Sequence, residues 1–255
     1  MNGGCMGVIA SGTARRTTPV PTQPDNGKVA WREFPGGIAV TQEVEPRTRI
    51  RKEMEISLEP AGSRVAILHR LTNQGLWPVK LAAWAITVMA AGGLEIIPQP
   101  RADTGLLPNR LISLWPYTRL NDPRVRWGER FIFIRQDSSI SNTFKIGIPN
   151  EQGWAAYLNQ DRLFLKRHEH ICEARYPDYG VSYETYTNDF MLEMETLSPL
   201  AFLEPGGAVE HREEWELFDN VALPSDDEEE IEAILRPTLR IMSPVADNQK
   251  RDKGG

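Results

Sequence analysis

Several segments of the chain combine aromatic side chains with planar polar ones, as a sugar-binding surface requires. They are residues 107–110, 115–118, 121–124, 176–178 and 186–188. An aromatic face packs against the C–H groups of a sugar ring, and guanidinium, amide and carboxylate groups hydrogen-bond its hydroxyls. We expect Arg110 and Asp178 to meet at one rim of such a site. The structural alternative is that Trp115 and Trp154 are core residues and that the loop Asn and Asp side chains form turns.

The histidines raise a second possibility, a metal site. His168 and His170 are separated by one residue, so on a strand they would share a face and could hold one ion. No third ligand is evident in the sequence, and the flanking Lys166, Arg167 and Glu169 are more typical of a solvated, charged edge. We therefore expect no metal and no cofactor. No Gly-x-Ser-x-Gly or glycine-rich phosphate-binding motif occurs either.

The elements that must position these residues are strands. Apolar residues recur with a period of two in residues 54–58 and 65–71, on either side of a Pro-Ala-Gly-Ser turn, which predicts a hairpin. His69 and His211 alternate with apolar residues, which favours structural roles for both. Further strands are predicted at residues 79–89, 131–135, 144–148, 155–158, 163–167, 191–196 and 209–218. Strands at this spacing indicate an all-β fold, an antiparallel sandwich.

Three regions are predicted along the chain. Residues 1–26 have no strand pattern and are expected to be loop or disordered, residues 27–223 form the sandwich, and residues 224–255 form a short acidic helix and a mobile tail. Ser225 is the expected N-cap of the helix, acids follow in its first turn, and Pro237 is expected to end it.

Composition excludes several classes of function. The formal net charge is −6 and no basic stripe is present, so nucleic acid is not an expected partner. No apolar run is long enough to span a membrane. Cys5 and Cys172 are far apart and follow no metal-binding spacing, which favours free thiols in a reducing compartment. With no leader pattern visible, we expect a cytoplasmic protein of undetermined oligomeric state.

Specific motifs in this pattern resemble a known superfamily. Residues 191–196, followed by 203–206 and 211–218, resemble the C-terminal strands of the galactose mutarotase-like (aldose 1-epimerase) superfamily, and residues 71–73 and 79–88 resemble its Thr-Asn turn and central strand. The nearest resemblance is to an uncharacterised bacterial branch, through residues 84–89, 107–110, 114–117, 145–147, 153–157 and 195–200. It covers residues 29–218 and implies a supersandwich of two sheets, and we expect the first strands of the fold to be missing from this chain.

The resemblance also implies roles for individual residues. In the superfamily's mutarotases a glutamate takes the proton of the anomeric hydroxyl while a histidine protonates the ring oxygen. Glu195 matches the glutamate, but Trp84 stands at the position of the acid histidine, and an indole N–H cannot supply a proton near neutral pH. The resemblance leaves the acid unidentified, with Lys145 and Tyr186 as candidates. The residues expected to bind the sugar are Trp84, Arg110, Trp115, Lys145, Trp154, Asp178, Glu184 and Tyr186.

Two functions follow from this pattern. One is an enzyme acting at the anomeric carbon of an aldose with Glu195 as base. The other is a non-catalytic sugar-binding module or accessory domain of a carbohydrate-active system, because this architecture serves both roles. In either case a carbohydrate is the expected ligand.

Overall fold

The chain folds into two antiparallel sheets and one helix. The computed structural model describes residues 6–10, 27–222 and 227–240. The strands are, in chain order, β1 (Met6–Ala10), β2 (Val29–Phe34), β3 (Gly37–Gln42), β4 (Ile50–Leu58), β5 (Val65–Asn73), β6 (Val79–Ala90), β7 (Leu94–Pro98), β8 (Ser113–Leu114), β9 (Val125–Trp127), β10 (Phe131–Arg135), β11 (Phe144–Ile148), β12 (Trp154–Asn159), β13 (Arg162–His168), β14 (Tyr183–Thr187), β15 (Met191–Leu197), β16 (Ala201–Leu203) and β17 (Ala208–Asp219). The helix is α1 (Glu228–Arg240).

The two sheets are called sheet A and sheet B here. Sheet A has the order β1-β6-β15-β14-β11-β8, with β16 also paired to β6. Sheet B has the order β2-β3-β4-β5-β17-β13-β12-β7-β10-β9. The predicted hairpin is confirmed as β4 and β5, which pair along nine residues. The predicted antiparallel architecture is confirmed as well.

The main core lies between the sheets. Phe144 and Ile146 of β11 and Leu192 and Met194 of β15 point inward and pack against sheet B residues such as Ile132. Their neighbours along each strand point away from the core, because successive side chains of a strand face opposite sides. Sheet A therefore has an outer face, which carries Lys145 and Glu195.

Helix α1 covers the outer face of sheet B. Ile231 and Leu235 pack onto Leu163 and Leu165 of β13, and Phe131 and Trp154 belong to the same cluster. The predicted N-cap, Ser225, lies outside the described residues, and Asp227 is the residue that caps the helix, with its carboxylate accepting from the Glu229 N–H at 2.9 Å. No helix among the described residues is long and apolar enough to cross a membrane.

Two expectations about the ends of the chain are corrected where the structure describes them, and residues 1–5 and 11–26 lie outside the described residues. Residues 6–10 form β1, which pairs with residues 81–85 of β6. An edge strand can be held by main-chain hydrogen bonds alone, so it needs no alternation of side chains. Pro237 does not end α1, which continues to Arg240. The last turn is held by tertiary contacts, among them one from Arg167 to the Leu239 carbonyl, and these outweigh the lost main-chain bond.

The charged edge expected around Lys166 is also wrong. Strand β13 is central in sheet B, paired with β12 on one side and β17 on the other. Lys166 is fully buried between the sheets, where its ammonium lies 2.8 Å from Glu213. His168 is buried beside it and stacks on Tyr183. The sequence could not show this, because the partner carboxylate comes from a strand more than 40 residues further along the chain.

A polar cluster surrounds Lys166. Glu213 also contacts His69 at 3.2 Å and accepts from the Thr196 hydroxyl, and His211 lies 2.8 Å from that hydroxyl. The expected structural roles of His69 and His211 agree with these contacts. His170 lies in the loop after β13 and contacts Ser182, so it does not share a face with His168. Neither this cluster nor any other group of His, Cys, Asp and Glu side chains in the described residues is arranged so that three of them could hold a metal ion.

Candidate functional site

The outer face of sheet A carries a compact cluster of ionisable and aromatic side chains, called the outer-face cluster below. Four neighbouring strands supply it: Trp84 from β6, Glu195 from β15, Glu184 from β14 and Lys145 from β11. Glu184 and Glu195 are directly opposite each other across the β14–β15 pair. Tyr186, two residues from Glu184 on the same face, is directly opposite Lys145. Trp115 follows β8 at the edge of the sheet.

Lys145 is at the centre of the outer-face cluster. Its ammonium lies 2.8 Å from Glu184 and 2.7 and 3.0 Å from the two oxygens of Glu195. The ammonium also lies 5.0 Å from the centre of the Trp84 ring and 4.9 Å from that of Trp115, which is cation–π range. Burial by itself would lower the pKa of Lys145, but its contacts with Glu195 and Glu184 outweigh burial and raise that pKa. Lys145 is therefore a firmly held cation.

Glu195 is fully buried, with each of its oxygens hydrogen-bonded. Besides the ammonium of Lys145, the carboxylate accepts from the Trp84 indole N–H at 2.6 Å. The bonds from a cation and from a short N–H donor both favour the ionised carboxylate. Trp84 and Lys145 thus orient Glu195 from two sides.

Glu184 has a different environment from Glu195, although the two are neighbours. One of its oxygens contacts Lys145, and the other, Oε1, is buried with no hydrogen-bond partner among the described residues. Burial raises the pKa of Glu184 to about 8, and the charge of Glu195 adds to the shift while Lys145 opposes it. The two carboxyl groups are thus close in space and held in different surroundings.

Two half-buried residues extend the face towards solvent. Burial, with a contribution from Glu195, raises the pKa of Glu193 to about 7. Tyr117 is 44% exposed, and burial of the rest of its ring raises its pKa. Neither was among the residues expected to bind the sugar, although the alternation along β15 places Glu193 on the face of Glu195. For Tyr117 the available signal was its place beside Trp115 in an aromatic loop.

The structure brings together most of the expected site residues but not all of them. Trp84, Trp115, Lys145, Glu184, Tyr186 and Glu195 share the outer face of sheet A. Asp178 lies at its edge, where its carbonyl accepts from Ser113 and its carboxylate contributes to the raised pKa of Glu184. The Thr118 hydroxyl accepts from the Lys145 N–H at 3.1 Å and ties the loop that carries Trp115 to β11.

Trp154 and Arg110 are placed elsewhere. Trp154 is 5% exposed and packs against Phe131 under helix α1, on the opposite side of the sandwich from Glu195. Arg110 donates to the carbonyl of Glu129 at 2.7 Å and lines a groove of about 590 Å³ that α1 borders. Arg110 therefore lies near helix α1, whereas Asp178 contacts β8 at the edge of sheet A.

Comparison with known proteins locates this architecture among solved folds. No protein-family model matches the chain. No curated protein matches its sequence. Among solved structures, the chain is similar to a galactose mutarotase-like protein from Lactobacillus casei, with 11% identity and a TM-score of 0.53 over 84% of this chain and 85% of that one. It is also similar to a galactose mutarotase related enzyme from Lactobacillus acidophilus, with 6% identity and a TM-score of 0.50 over 78% of this chain and 74% of that one.

The chain has the galactose mutarotase-like fold. At these identities the similarity establishes the architecture and the strand order. The fold expected from the sequence resemblance is therefore confirmed.

Proposed function

We propose that the outer face of sheet A binds a carbohydrate and that Glu195 acts there as a base at the anomeric carbon of an aldose. The observation that carries the proposal is that Lys145, which lies within cation–π range of two indole rings, holds Glu195 and Glu184 beside it. This arrangement combines a fixed carboxylate, a second carboxyl group and aromatic surface on one face of a rigid sheet.

The aromatic residues support a sugar as the ligand. Trp84, Trp115 and Tyr186 are half-buried, so each keeps part of its ring accessible. A sugar presents an apolar C–H face to such rings and hydroxyls to the acids between them. The similar protein from Lactobacillus casei is described as galactose mutarotase-like, and this supports a sugar as well.

The position of Glu195 supports its role as base. A base for the anomeric hydroxyl must be ionised, fixed in direction and within hydrogen-bond reach of its substrate. The contacts from Lys145 and Trp84 provide the first two properties. Lys145 itself is poorly suited to be the proton donor, because its raised pKa makes it a weak acid.

Polarimetry tests the proposal directly. The purified chain is mixed with freshly dissolved α-anomers of several aldoses, and optical rotation is followed against the uncatalysed rate. We expect acceleration with at least one aldose and a loss of at least about 100-fold in kcat/KM for Glu195→Gln. The matched control is Glu210→Gln, the same change at an exposed position on β17, where Glu210 pairs only with Arg70 among the described residues.

Tryptophan fluorescence separates the two functions left open by the sequence. A sugar that stacks on Trp84 or Trp115 should change the emission of these indoles in a saturable way. Saturable binding without acceleration of any anomer would favour the non-catalytic binding module. Absence of both would contradict the carbohydrate proposal.

A further inference from the structure

We infer that Glu184 is the proton donor to the ring oxygen in the reaction proposed for Glu195. The inference rests on the proposed function and adds the acid that the sequence leaves missing. It depends on the contrast between two carboxyl groups that face each other across a strand pair and share one lysine.

The hydrogen bonds distinguish the two carboxyl groups. Glu195 receives three contacts, two from the Lys145 ammonium and one from the Trp84 indole, and both of its oxygens are used. Glu184 receives one, on Oε2 from Lys145. Its Oε1 is buried and unpartnered among the described residues, so it is the oxygen that can carry a proton and offer it to a ligand.

The surroundings of Glu184 favour its neutral form. The charged groups that face it are Lys145 from β11, Glu195 from β15 and Asp178 from the loop before β14. Burial has the largest effect and raises the pKa of Glu184 to about 8, with Glu195 and Asp178 adding to it and Lys145 opposing it, while the carboxylate of Glu195 stays paired with the cation. Two carboxyl groups whose environments push their protonation apart form an acid and base pair.

The backbone beneath Glu184 makes room for this side chain. Gly147 of β11 is directly opposite Glu184. A Cβ at this glycine would lie 2.7 Å from a methyl group of Val181 and 3.3 Å from Cγ of Glu184. A side chain there would push Glu184 away from Lys145, so the glycine supports the position of the proposed acid.

The proposed step is balanced in atoms and electrons. Glu195 takes the proton of the anomeric hydroxyl, the O1–H electron pair becomes the second bond of the C1=O1 carbonyl, and the bond from C1 to the ring oxygen breaks. The ring oxygen keeps that electron pair and takes the proton of Glu184. After rotation about the bond between C1 and C2, the reverse step closes the ring on the other face of C1 and returns each proton. No oxidant, reductant or metal takes part.

The first test measures the proton without using activity. Infrared difference spectra of the whole chain, wild type minus Glu184→Gln, are recorded between pH 5 and pH 10. We expect the carbonyl band of a protonated carboxylic acid at pH 7, present in wild type and absent in the variant, with a midpoint near 8. A Glu184 that is already ionised at pH 7 would overturn the inference, whatever the activity of the chain.

The second test measures the reaction. For Glu184→Gln we expect a loss of about 100-fold or more in kcat/KM and no alkaline limb near pH 8, with sugar binding by tryptophan fluorescence kept within about tenfold. Glu184→Asp, which keeps an acid, should recover part of the rate. A Glu184→Gln variant as active as wild type overturns the inference alone. A wild type that accelerates no aldose overturns both the proposed function and this inference.

Discussion

Two of the buried lysines in the described part of the chain, Lys145 and Lys166, lie against glutamates in very different settings. Lys145, on the outer face of sheet A, contacts the carboxyl groups of Glu184 and Glu195 and lies within cation–π range of two indoles. Lys166, between the sheets, contacts one carboxylate, the Thr87 hydroxyl and the main-chain carbonyls of Ala85 and Met194. Complete burial lowers the pKa of Lys166 despite Glu213, whereas contacts with Glu195 and Glu184 raise the pKa of Lys145.

These different contacts give the two lysines different roles at the outer-face cluster. Lys145 belongs to that cluster and contacts its ionisable groups directly. Lys166 binds the carbonyls of β6 and β15 from behind, so it holds together the two strands that carry Trp84 and Glu195. One lysine contributes charge where a ligand would bind, and the other contributes a rigid support.

The largest expected effect is on folding, from Lys166→Met. Removing one partner of a buried ion pair leaves the Glu213 carboxylate uncompensated, so we expect a loss of about 3–5 kcal/mol in the free energy of unfolding. Denaturant unfolding measures it. The matched control is Arg162→Met on the same strand, where an exposed pair with Asp219 should cost less than about 1 kcal/mol. Equal losses in the two variants would contradict the supporting role of Lys166.

Lys145→Met should impair the site more than the stability of the fold, which is the reverse of what we expect for Lys166→Met. We expect a smaller loss of stability, about 2 kcal/mol, because Glu184 already favours its neutral form and water can reach this face. Sugar turnover and binding should both be lost. Unfolding curves and polarimetry on the same preparations measure the two effects. A variant that keeps turnover would show that Lys145 plays no part in the site.

The pH dependence of stability distinguishes Glu184 from a paired acid. The pKa of Glu184 rises to about 8 in the folded chain from an ordinary value of 4.5, so the folded chain binds the extra proton between these values. Wild type should therefore lose stability relative to Glu184→Gln as the pH rises from 4.5 to 8, by at least about 1 kcal/mol. Urea unfolding at a series of pH values measures the difference. If the difference in stability between wild type and Glu184→Gln stays constant over this pH range, or changes in the opposite direction, the pKa of Glu184 is not raised by folding.

The smallest expected effect is that of Trp84→Phe. This change keeps an aromatic ring but removes the N–H that donates to Glu195. We expect a loss of about 1 kcal/mol in stability, while sugar binding changes by less than about fivefold, because stacking needs only the ring. Unfolding curves and fluorescence titration provide both values. A large loss of binding would mean that the indole N–H contacts the sugar.

Part of the site could be predicted from the sequence and part could not. The resemblance pointed to Glu195 and Trp84, and the structure shows the indole donating to the carboxylate. The loops rich in aromatic and polar residues included Trp115 and Tyr186, which reach the face, but also Arg110, which does not. An aromatic residue in a strand can lie on either side of a sheet, and so Trp154 is found under α1.

What the sequence by itself determined is which residues share a face. The alternation in residues 191–197 separates Glu193 and Glu195 from Leu192 and Met194, because the direction of a side chain in a strand depends only on the local backbone. Only the tertiary structure decided which charges meet. Lys145 and Glu195 are 50 residues apart and Trp84 and Glu195 are 111 apart, and they come together because β6, β15, β14 and β11 are neighbours in one sheet. Strand order is set by burial of the whole core, so no local pattern could reveal that one lysine would bridge two acids while another would be buried beneath them.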